Sequence, residues 1–322
     1  MNFKKVILSI LLILVILVAG FAILKSGKHE TKSSDKIQVV ASNFASYDFL
    51  RAIIGENDEI ELTYLLGPGK DSHSYDPTAQ DLITIQNADL FVYIGGEMES
   101  WSDKVLNSLD NTDRKMICVS SDIETIEEQE IDGAEEEHEE EEHEEGAFDE
   151  HIWTSPENAI IMVNTLEKAM EEIDSENSEI YQENAKNYIA QIEEVDTQMQ
   201  EIVDNKVRDR LIFADKMPMQ YFINYYGLEV SAAFSGCSTE TEPSASTIAY
   251  LEQKVKEENI PVVLYIELND GKVAKTIANE AENCQAMQIQ TLHNISKDDF
   301  DKGETWVSLM TRNMDVLRKA LQ

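Results

Sequence analysis

Three of the six histidines stand at the ends of predicted strands, where imidazoles brought together could bind a metal ion. His73 lies in a loop after a strand, His151 precedes a helix, and His293 directly follows the predicted strand Met287–Leu292. Three imidazoles converging on one cleft would form a zinc site, since an accessible site can use three protein ligands plus a water or a labile fourth ligand. Taken singly, each is typical of an ordinary surface or core histidine, so the residues alone leave both interpretations open.

The elements that would hold these histidines follow from the alternation of apolar strands with helices. Predicted strands cover Ile37–Ala41, Ile60–Leu66, Leu90–Ile94, Met116–Val119, Leu211–Ala214, Leu228–Ala233, Pro261–Glu267 and Met287–Leu292. Predicted helices cover Ser46–Ile54, a segment after Pro77 that ends at Asn87, a segment near Gln220, Ser246–Lys256, Lys272–Glu282 and Thr305–Leu321. This order predicts an α/β fold whose sheets are mostly parallel and carry flanking helices.

One further helix stands out by its length. Between Glu179 and Val203 the apolar residues recur at intervals of four and three, which predicts a single amphipathic helix with one buried stripe. We therefore expect two α/β lobes, residues 37–177 and 206–322, joined by a rigid linking helix over 178–205. The cleft between them would lie at the carboxyl ends of the strands, where open α/β sheets bind ligands.

The N-terminal residues predict export. Val6–Leu24 is an apolar run of nineteen residues that follows Lys4 and Lys5, long enough to cross a hydrocarbon core of about 30 Å. Residues 1–25 are therefore expected to be a membrane anchor or a signal segment, and residues 26–36 a polar tether. The rest of the chain would lie outside the cytoplasm.

The charge of the chain is strongly negative and unevenly distributed. The 63 acidic and 26 basic residues give a formal net charge of −37, which argues against nucleic acid or an anionic bilayer surface as a partner and favours a cation. An insert over residues 123–150 holds fourteen glutamates, two aspartates, His138 and His143. We expect it to lack an apolar anchor and to be either a solvated loop with no specific task or a weak collector of divalent cations.

Two histidine motifs resemble those of the solute-binding proteins of zinc and manganese ATP-binding-cassette importers. They are His73-Ser74-Tyr75-Asp76-Pro77, within residues 67–82, and Asp149-Glu150-His151-Ile152-Trp153, which continues to Asn158. The acidic insert before the second motif and the long helix match the zinc-specific members, as do residues 236–244 and 305–321. The resemblance covers residues 37–322 and implies two lobes around one metal ion in a binding protein without enzymatic activity.

The resemblance also implies a set of metal ligands. His73 and His151 fall on the histidines of the first lobe, and His293 falls where the family commonly has an aspartate. His138 and His143 would take part only in weak, secondary collection of metal.

The fourth ligand position departs from the family pattern. The family usually has a histidine or glutamate where this chain has Lys216, and an ammonium group repels a divalent cation. Lys216 is therefore expected to swing away or to pair with Asp215, Glu240 or Glu242. Glu240 or a water is the expected fourth ligand.

The function implied by the resemblance is that of an extracytoplasmic receptor. It would act as a monomer that captures zinc between its lobes and delivers it to a membrane permease driven by a cytoplasmic ATPase. Zinc is favoured over manganese because manganese sites take more carboxylate oxygen than three imidazoles provide. A manganese receptor or a metal-binding adhesin of the same fold is the alternative.

A different class of function is a zinc-dependent hydrolase, in which Asp149 or Glu150 would act as a general base. The sequence contains no HExxH pair, which argues against this class.

The membrane attachment also departs from the family pattern. Relatives in bacteria with one membrane are commonly lipoproteins, but here Phe21 follows Gly20 where a cysteine would carry the lipid. The apolar segment itself is therefore expected to tether the protein to the outer face of the cell membrane, unless a signal peptidase removes it.

Overall fold

The computed structural model describes residues 36–108, 114–134, 148–236, 238 and 242–322. The span Ile37–Gln322 forms one compact unit. The predicted N-terminal anchor, the tether up to residue 35 and residues 135–147 of the acidic insert lie outside the described residues. Within the described ranges, every helix is too short or too polar to cross a membrane.

The first half of this unit is built on a four-stranded parallel sheet. Its strands are hydrogen-bonded in the order β2-β1-β3-β4 and comprise β1 Ile37–Ala41, β2 Ile60–Tyr64, β3 Leu90–Tyr93 and β4 Lys115–Cys118. The accompanying helices are α1 Phe44–Ile54, α2 Ala79–Asn87, α3 Trp101–Ser108 and α4 Pro156–Ile173. β1 and β3 are the central strands and are largely buried, as expected for a parallel sheet covered on both faces.

The second half repeats the arrangement. Its strands are ordered β6-β5-β7-β8, all parallel, and comprise β5 Arg210–Lys216, β6 Glu229–Phe234, β7 Val262–Tyr265 and β8 Gln285–Gln288. The helices are α6 Gln220–Tyr226, α7 Ala245–Glu257, α8 Lys272–Asn279, α9 Lys297–Asp301 and α10 Trp306–Leu321. The predicted fold class, two parallel sheets with flanking helices joined by a long helix, is confirmed.

The long helix α5 runs over Ser178–Asp204. All seven predicted stripe positions are buried: Tyr181, Ala185, Tyr188, Ile192, Val195, Met199 and Ile202. The stripe packs against α1, α4 and α10, so the linking helix contacts elements from both halves.

A buried carboxylate, that of Asp48, links α1, the linking helix α5 and the last helix α10. Asp48 on α1 accepts hydrogen bonds from the Tyr188 hydroxyl at 2.5 Å, the Trp306 backbone N–H at 2.7 Å and the Arg51 guanidinium at 2.5 Å. Burial raises the pKa of Asp48, while Arg51 and the other donors act in the opposite direction. Elements from the first half, the linking helix and the last helix therefore meet at one side chain.

One predicted strand is displaced. β8 ends at Gln288, whereas the apolar pattern predicted a strand over Met287–Leu292. The apolar residues Ile289 and Leu292 are buried in a loop, and Leu292 has a φ of 56°, a value outside the range of a strand. Beyond one backbone bond from the Ile289 N–H to the Tyr265 carbonyl of β7 at 2.9 Å, the loop is held by its packing and by side-chain hydrogen bonds.

The N-terminal end of the acidic insert is folded. We call residues 123–134 the strap, because they cross from the first sheet to the edge of the second. The Asp132 carbonyl accepts the Ala232 N–H of β6 at 3.2 Å, next to a bridge between Asp132 and Ser231. Ile123 is buried, and Ile126 and Ile131 pack against the core.

The opposite end of the insert is also ordered. Phe148 pairs with Glu127 of the strap, and Asp149 and Glu150 are each 1% exposed. The expectation that the insert lacks an apolar anchor is therefore wrong for its N-terminal end, where Ile123, Ile126 and Ile131 pack in or against the core. The prediction relied on the acid-rich composition of the insert and overlooked these three isoleucines of the strap.

Candidate metal centre

The structure brings His73, His151 and His293 together. One ring nitrogen from each lies within 4.8 Å of the others, and the ring centroids are 4.7 Å apart for His73–His293, 4.8 Å for His151–His293 and 5.8 Å for His73–His151. His73 and His151 come from the first half and His293 from the second. Because a zinc ion lies about 2.0–2.1 Å from an imidazole nitrogen, one ion can contact all three rings once they turn toward it.

His73 is the member of the cluster closest to solvent. The loop that carries it is shaped by Asp71, whose Oδ1 accepts the His73 N–H at 2.9 Å. The ring Nε2 is buried and finds no hydrogen-bond partner within the described part of the chain. The residue lines a cavity of about 300 Å³ whose other walls include Tyr75, Glu97 and Trp101. An unpaired nitrogen beside an open cavity is suited to receive a cation.

His151 is oriented by the residue two positions before it. Asp149 Oδ1 accepts both the backbone N–H of His151 at 2.8 Å and the ring Nδ1–H at 3.0 Å. The ring therefore presents Nε2 to the cluster, where it lies 3.1 Å from Nδ1 of His293. Such a carboxylate partner fixes the tautomer of a metal-binding imidazole and raises its basicity.

Asp149 is itself held from two sides. Its N–H donates to the Ile126 carbonyl of the strap at 2.9 Å, and its carbonyl accepts the Tyr221 hydroxyl at 2.8 Å. Tyr221 lies on α6 of the second half. The position of a first-half histidine is thus supported by the strap and by the second half.

His293 lies in a loop that a buried carboxylate organises. Glu267, 3% exposed, accepts the Thr291 N–H and hydroxyl at 2.8 Å each and the Asn294 N–H at 3.0 Å. Nε2 of His293 forms a short hydrogen bond with the Ser72 hydroxyl, next to His73. A second link between the same loops is the bond from the Gly69 N–H to the Ile295 carbonyl at 2.7 Å.

The surroundings keep two of the imidazoles neutral. Burial lowers the pKa of His73 to about 3, with His151 and Lys216 acting in the same direction and Asp71 opposing. Burial, followed by His73, His151 and Lys216, lowers the pKa of His293 well below its ordinary value. Neutral imidazoles keep the lone pairs that metal binding requires.

His151 behaves differently. Burial would lower its pKa, but the charge and hydrogen bond of Asp149, with a contribution from Glu150, raise it above the ordinary value. Nε2 of His151 and Nδ1 of His293 are 3.1 Å apart and share one hydrogen bond, so a metal ion bound by both nitrogens would displace the proton between them.

Lys216 lies at the end of β5 and pairs with a residue that the sequence did not suggest. Its ammonium Nζ is 3.8 Å from Asp71 Oδ2, while Asp215 Oδ1 accepts only the backbone N–H of Lys216 at 2.9 Å. The ion pair of Lys216 is thus with Asp71, because the chain folds the loop of Asp71 against the end of β5. Burial raises the pKa of Asp215, and the charge of Lys216 acts on it in the opposite direction. Glu240, another expected partner of Lys216, lies outside the described residues.

Three of the predicted metal-binding residues fall outside the described residues. They are Glu240, the candidate fourth ligand, and His138 and His143 of the insert. Their roles stay predictions.

Sequence reasoning missed several residues that position the histidines. The indole N–H of Trp153 donates to the Thr291 carbonyl at 3.0 Å, and the indole N–H of Trp306 donates to the Trp153 carbonyl at 2.8 Å. The first bond joins the His151 motif to the loop of His293, and the second joins the motif to the start of α10. Trp153 stands in the second histidine motif and was available as a signal, whereas Thr291 and Glu267 carry no local pattern.

Comparison with known proteins shows which family has a similar sequence. A family profile described as zinc-uptake complex component A, periplasmic, matches residues 39–320. The high-affinity zinc uptake system protein ZnuA of Bacillus subtilis (strain 168) is 32% identical over 304 residues, which cover 92% of this chain and 92% of that protein.

Two crystal structures have a similar fold. The Zn(II)-bound ZnuA-like domain of Streptococcus pneumoniae AdcA superposes with a TM-score of 0.73 at 26% identity, covering 89% of this chain and 99% of that one. The metal-dependent lipoprotein YcdH of Bacillus subtilis superposes with a TM-score of 0.75 at 28% identity, covering 89% and 100%.

Proposed function

This chain belongs to the zinc-uptake complex component A family, and we propose that it captures zinc at the cluster of His73, His151 and His293 and delivers it to an ATP-binding-cassette importer. The observation that carries the proposal is the convergence of three imidazole nitrogens within 4.8 Å. A fourth protein ligand is not required, because a water can complete a tetrahedral zinc site that must load and unload.

The donor set favours zinc as the cargo. Three imidazoles suit zinc, whereas manganese prefers carboxylate and water oxygens. The relative in Bacillus subtilis is named for high-affinity zinc uptake, and the similar AdcA domain was crystallised with Zn(II). We therefore expect tighter binding of zinc than of manganese.

The proposed setting is outside the cytoplasm, since the matching family is described as periplasmic. The apolar run Val6–Leu24 would export the chain and tether it to the outer face of the membrane. The partners would be a membrane permease and its cytoplasmic ATPase, and the protein would act as a monomer.

The hydrolase alternative gains no support from the geometry. Asp149 and Glu150, the carboxylates that could serve as a general base, are both buried. Asp149 is engaged by His151, and Glu150 Oε1 accepts the Met98 N–H at 3.0 Å. Neither carboxylate is placed to activate a water for an incoming substrate.

The site is tested by a variant that combines His73→Ala with His151→Ala. We expect the affinity for zinc, measured by competition with a chromophoric chelator, to fall by at least about a thousandfold, because two of three ligands are lost and each contributes several kcal/mol of binding. Titration calorimetry of the parent protein should show one tight zinc site and weaker manganese binding.

A matched control is His29→Ala, which removes a histidine from the tether. It should leave the tight site unchanged. If the double variant retained the parent affinity, the proposed ligands would be incorrect, and tighter binding of manganese would overturn the choice of metal.

A further inference from the structure

A buried ammonium group lies beside the histidine cluster. The side chain of Lys216 is 9% exposed, and its Nζ is 3.8 Å from Asp71 Oδ2, on a side chain that is 42% exposed. The charge of Lys216 acts on two of the three imidazoles, His73 and His293. A positive charge is therefore already fixed next to the place where a metal ion would bind.

The ammonium group of Lys216 repels a divalent cation that binds at the cluster. Like charges repel with an energy that falls with distance and with the effective dielectric constant, and a site closed from water screens them less than bulk solvent does. His293 is 2% exposed and His151 is fully buried. A metal ion held by these rings must therefore feel the Lys216 charge.

Two carboxylates, Asp71 and the neighbouring Asp215, interact with the charge of Lys216 and moderate this repulsion. Oδ1 of Asp71 is committed to the His73 backbone N–H at 2.9 Å, and the other oxygen of this carboxylate faces the ammonium at a distance longer than a hydrogen bond. Because Asp71 is partly solvated, its charge is screened more than that of the buried lysine. The pair also joins the His73 loop to β5, so it lies on the line where the two halves meet.

We propose that Lys216 sets the affinity of the histidine cluster, by weakening zinc binding and accelerating zinc release. This inference rests on the proposed function, since it assumes that the cluster is the zinc site. Three imidazoles alone would hold the ion more tightly, and a fixed ammonium beside them favours transfer of the ion to the next protein. The residue thus acts through its charge and not as a ligand.

The test compares Lys216→Met, which removes the charge and keeps most of the volume, with Lys216→Arg, which keeps the charge. We expect Lys216→Met to raise the affinity for zinc by about tenfold to a hundredfold, with a slower dissociation rate measured by stopped-flow transfer to an excess chelator. Lys216→Arg should remain near the parent affinity. Asp71→Asn preserves an oxygen acceptor for His73 and should shift the affinity in the opposite direction, toward weaker binding.

Two controls separate charge at the site from other effects. Lys186→Met removes the same charge from the exposed surface of α5 and should leave the affinity unchanged. Thermal unfolding of the metal-free proteins shows whether Lys216 is merely structural, because a structural lysine would give a Lys216→Met variant that melts earlier and binds zinc more weakly. We expect the melting temperature of that variant to change little, since the carboxylate of Asp71 is partly exposed and such an ion pair contributes little net stability.

The outcomes distinguish this proposal from the assignment of the site. If removing His73 and His151 abolishes tight binding while Lys216→Met fails to tighten it, the proposal for Lys216 is wrong and the site stands. If the histidine variant binds zinc normally, the site itself is wrong.

Discussion

The three histidines are alike in type but differ in what surrounds them. His73 faces a cavity, His151 is bound to Asp149, and His293 is bound to Ser72. In the proposed zinc site these environments would give the rings separate tasks. His73 would meet the arriving ion from the cavity, His151 would keep the tautomer fixed by Asp149, and His293 would join the two halves. Side chains one step away from the cluster therefore decide how the cluster behaves.

Glu99 is a second buried carboxyl near this region, with its own consequence for stability. It is 4% exposed, and its Oε2 accepts the N–H groups of Ile94 at 2.6 Å and Gly95 at 3.0 Å. Burial raises the pKa of Glu99 from its ordinary 4.5 to about 7, with nearby Glu150 adding to the effect and the hydrogen bonds opposing it. The folded protein therefore binds this proton more tightly than the unfolded chain does.

The free energy of unfolding therefore depends on pH through Glu99. Between about pH 4.5 and 7 the folded state holds more protons at Glu99, so its contribution to stability is present at low pH and is lost as the pH rises to about 7. We expect Glu99→Gln to be more stable than the parent at pH 8, by at most about 3 kcal/mol, and to approach the parent near pH 5. Urea denaturation of the metal-free proteins at both pH values measures this difference.

The control for Glu99 is Glu56→Gln, at an exposed position. It should give a difference that does not change between pH 5 and pH 8. An equally constant difference for Glu99→Gln would show that the buried carboxyl is ionised throughout this range.

The strap shows how much an element can depend on one side chain. The Asp132 carboxylate accepts hydrogen bonds from Arg210 at 3.2 Å, Ser231 at 3.1 Å and the Tyr250 hydroxyl, and Lys254 lies 3.3 Å away. The next residue, Gly133, has a φ of 86°, and a side chain there would collide with the Tyr250 ring. Residues 123–134 are therefore docked on the second half by a specific anchor.

We predict that Asp132→Ala loosens the strap while the second sheet stays folded. Loss of the shared acceptor should cost about 1–2 kcal/mol, because the carboxylate is partly exposed and Arg210 and Lys254 can reach water, whereas Ser231 is buried. Hydrogen exchange should become faster for the amides of Ile126–Ala134 and remain slow for those of β5 and β7.

Asp209→Ala is the matched comparison. Asp209 is exposed and its ion pair is with Lys206 at 3.4 Å. That variant should leave the exchange of the strap unchanged. Unchanged exchange in Asp132→Ala as well would mean that backbone pairing with β6 is sufficient to hold the strap.

The elements also show which features can be predicted from sequence. The strands and the linking helix were predictable because apolar periodicity directly reflects burial in a regular element. The loop after β8 was not, because Leu292 is buried in a loop with a positive φ and Thr291 is held by Glu267, 24 residues away. The three histidines could be named as candidates, but the pairing of Lys216 with Asp71 depends on a contact between distant loops that no local pattern records.

At the scale of the whole molecule, the densest run of negative charge and the proposed zinc site occupy different parts of the chain. Nine of the glutamates lie within residues 135–145, whereas the clustered histidines are held by folded loops. A concentrated charge of this kind raises the local concentration of cations and their association rate, and its effect is screened by salt.

We therefore predict that neutralising this run leaves the tight site intact. Replacing the nine glutamates with glutamine, and His138 and His143 with asparagine, should slow zinc association at low salt and remove weak additional binding. The dissociation rate and one tight site per chain should persist in stopped-flow and calorimetric measurements. Loss of the tight site would mean that the run supplies a ligand.

The hydrogen bond between Trp153 and Thr291 has a consequence of an optical kind. The indole of Trp153 is 1% exposed, its ring lies 5.4 Å from that of His151, and its N–H is bonded to the loop of His293. A cation that binds at His151 brings its charge beside this ring, and a movement of the His293 loop alters the hydrogen bond. We therefore expect zinc binding at the proposed site to change the fluorescence of Trp153.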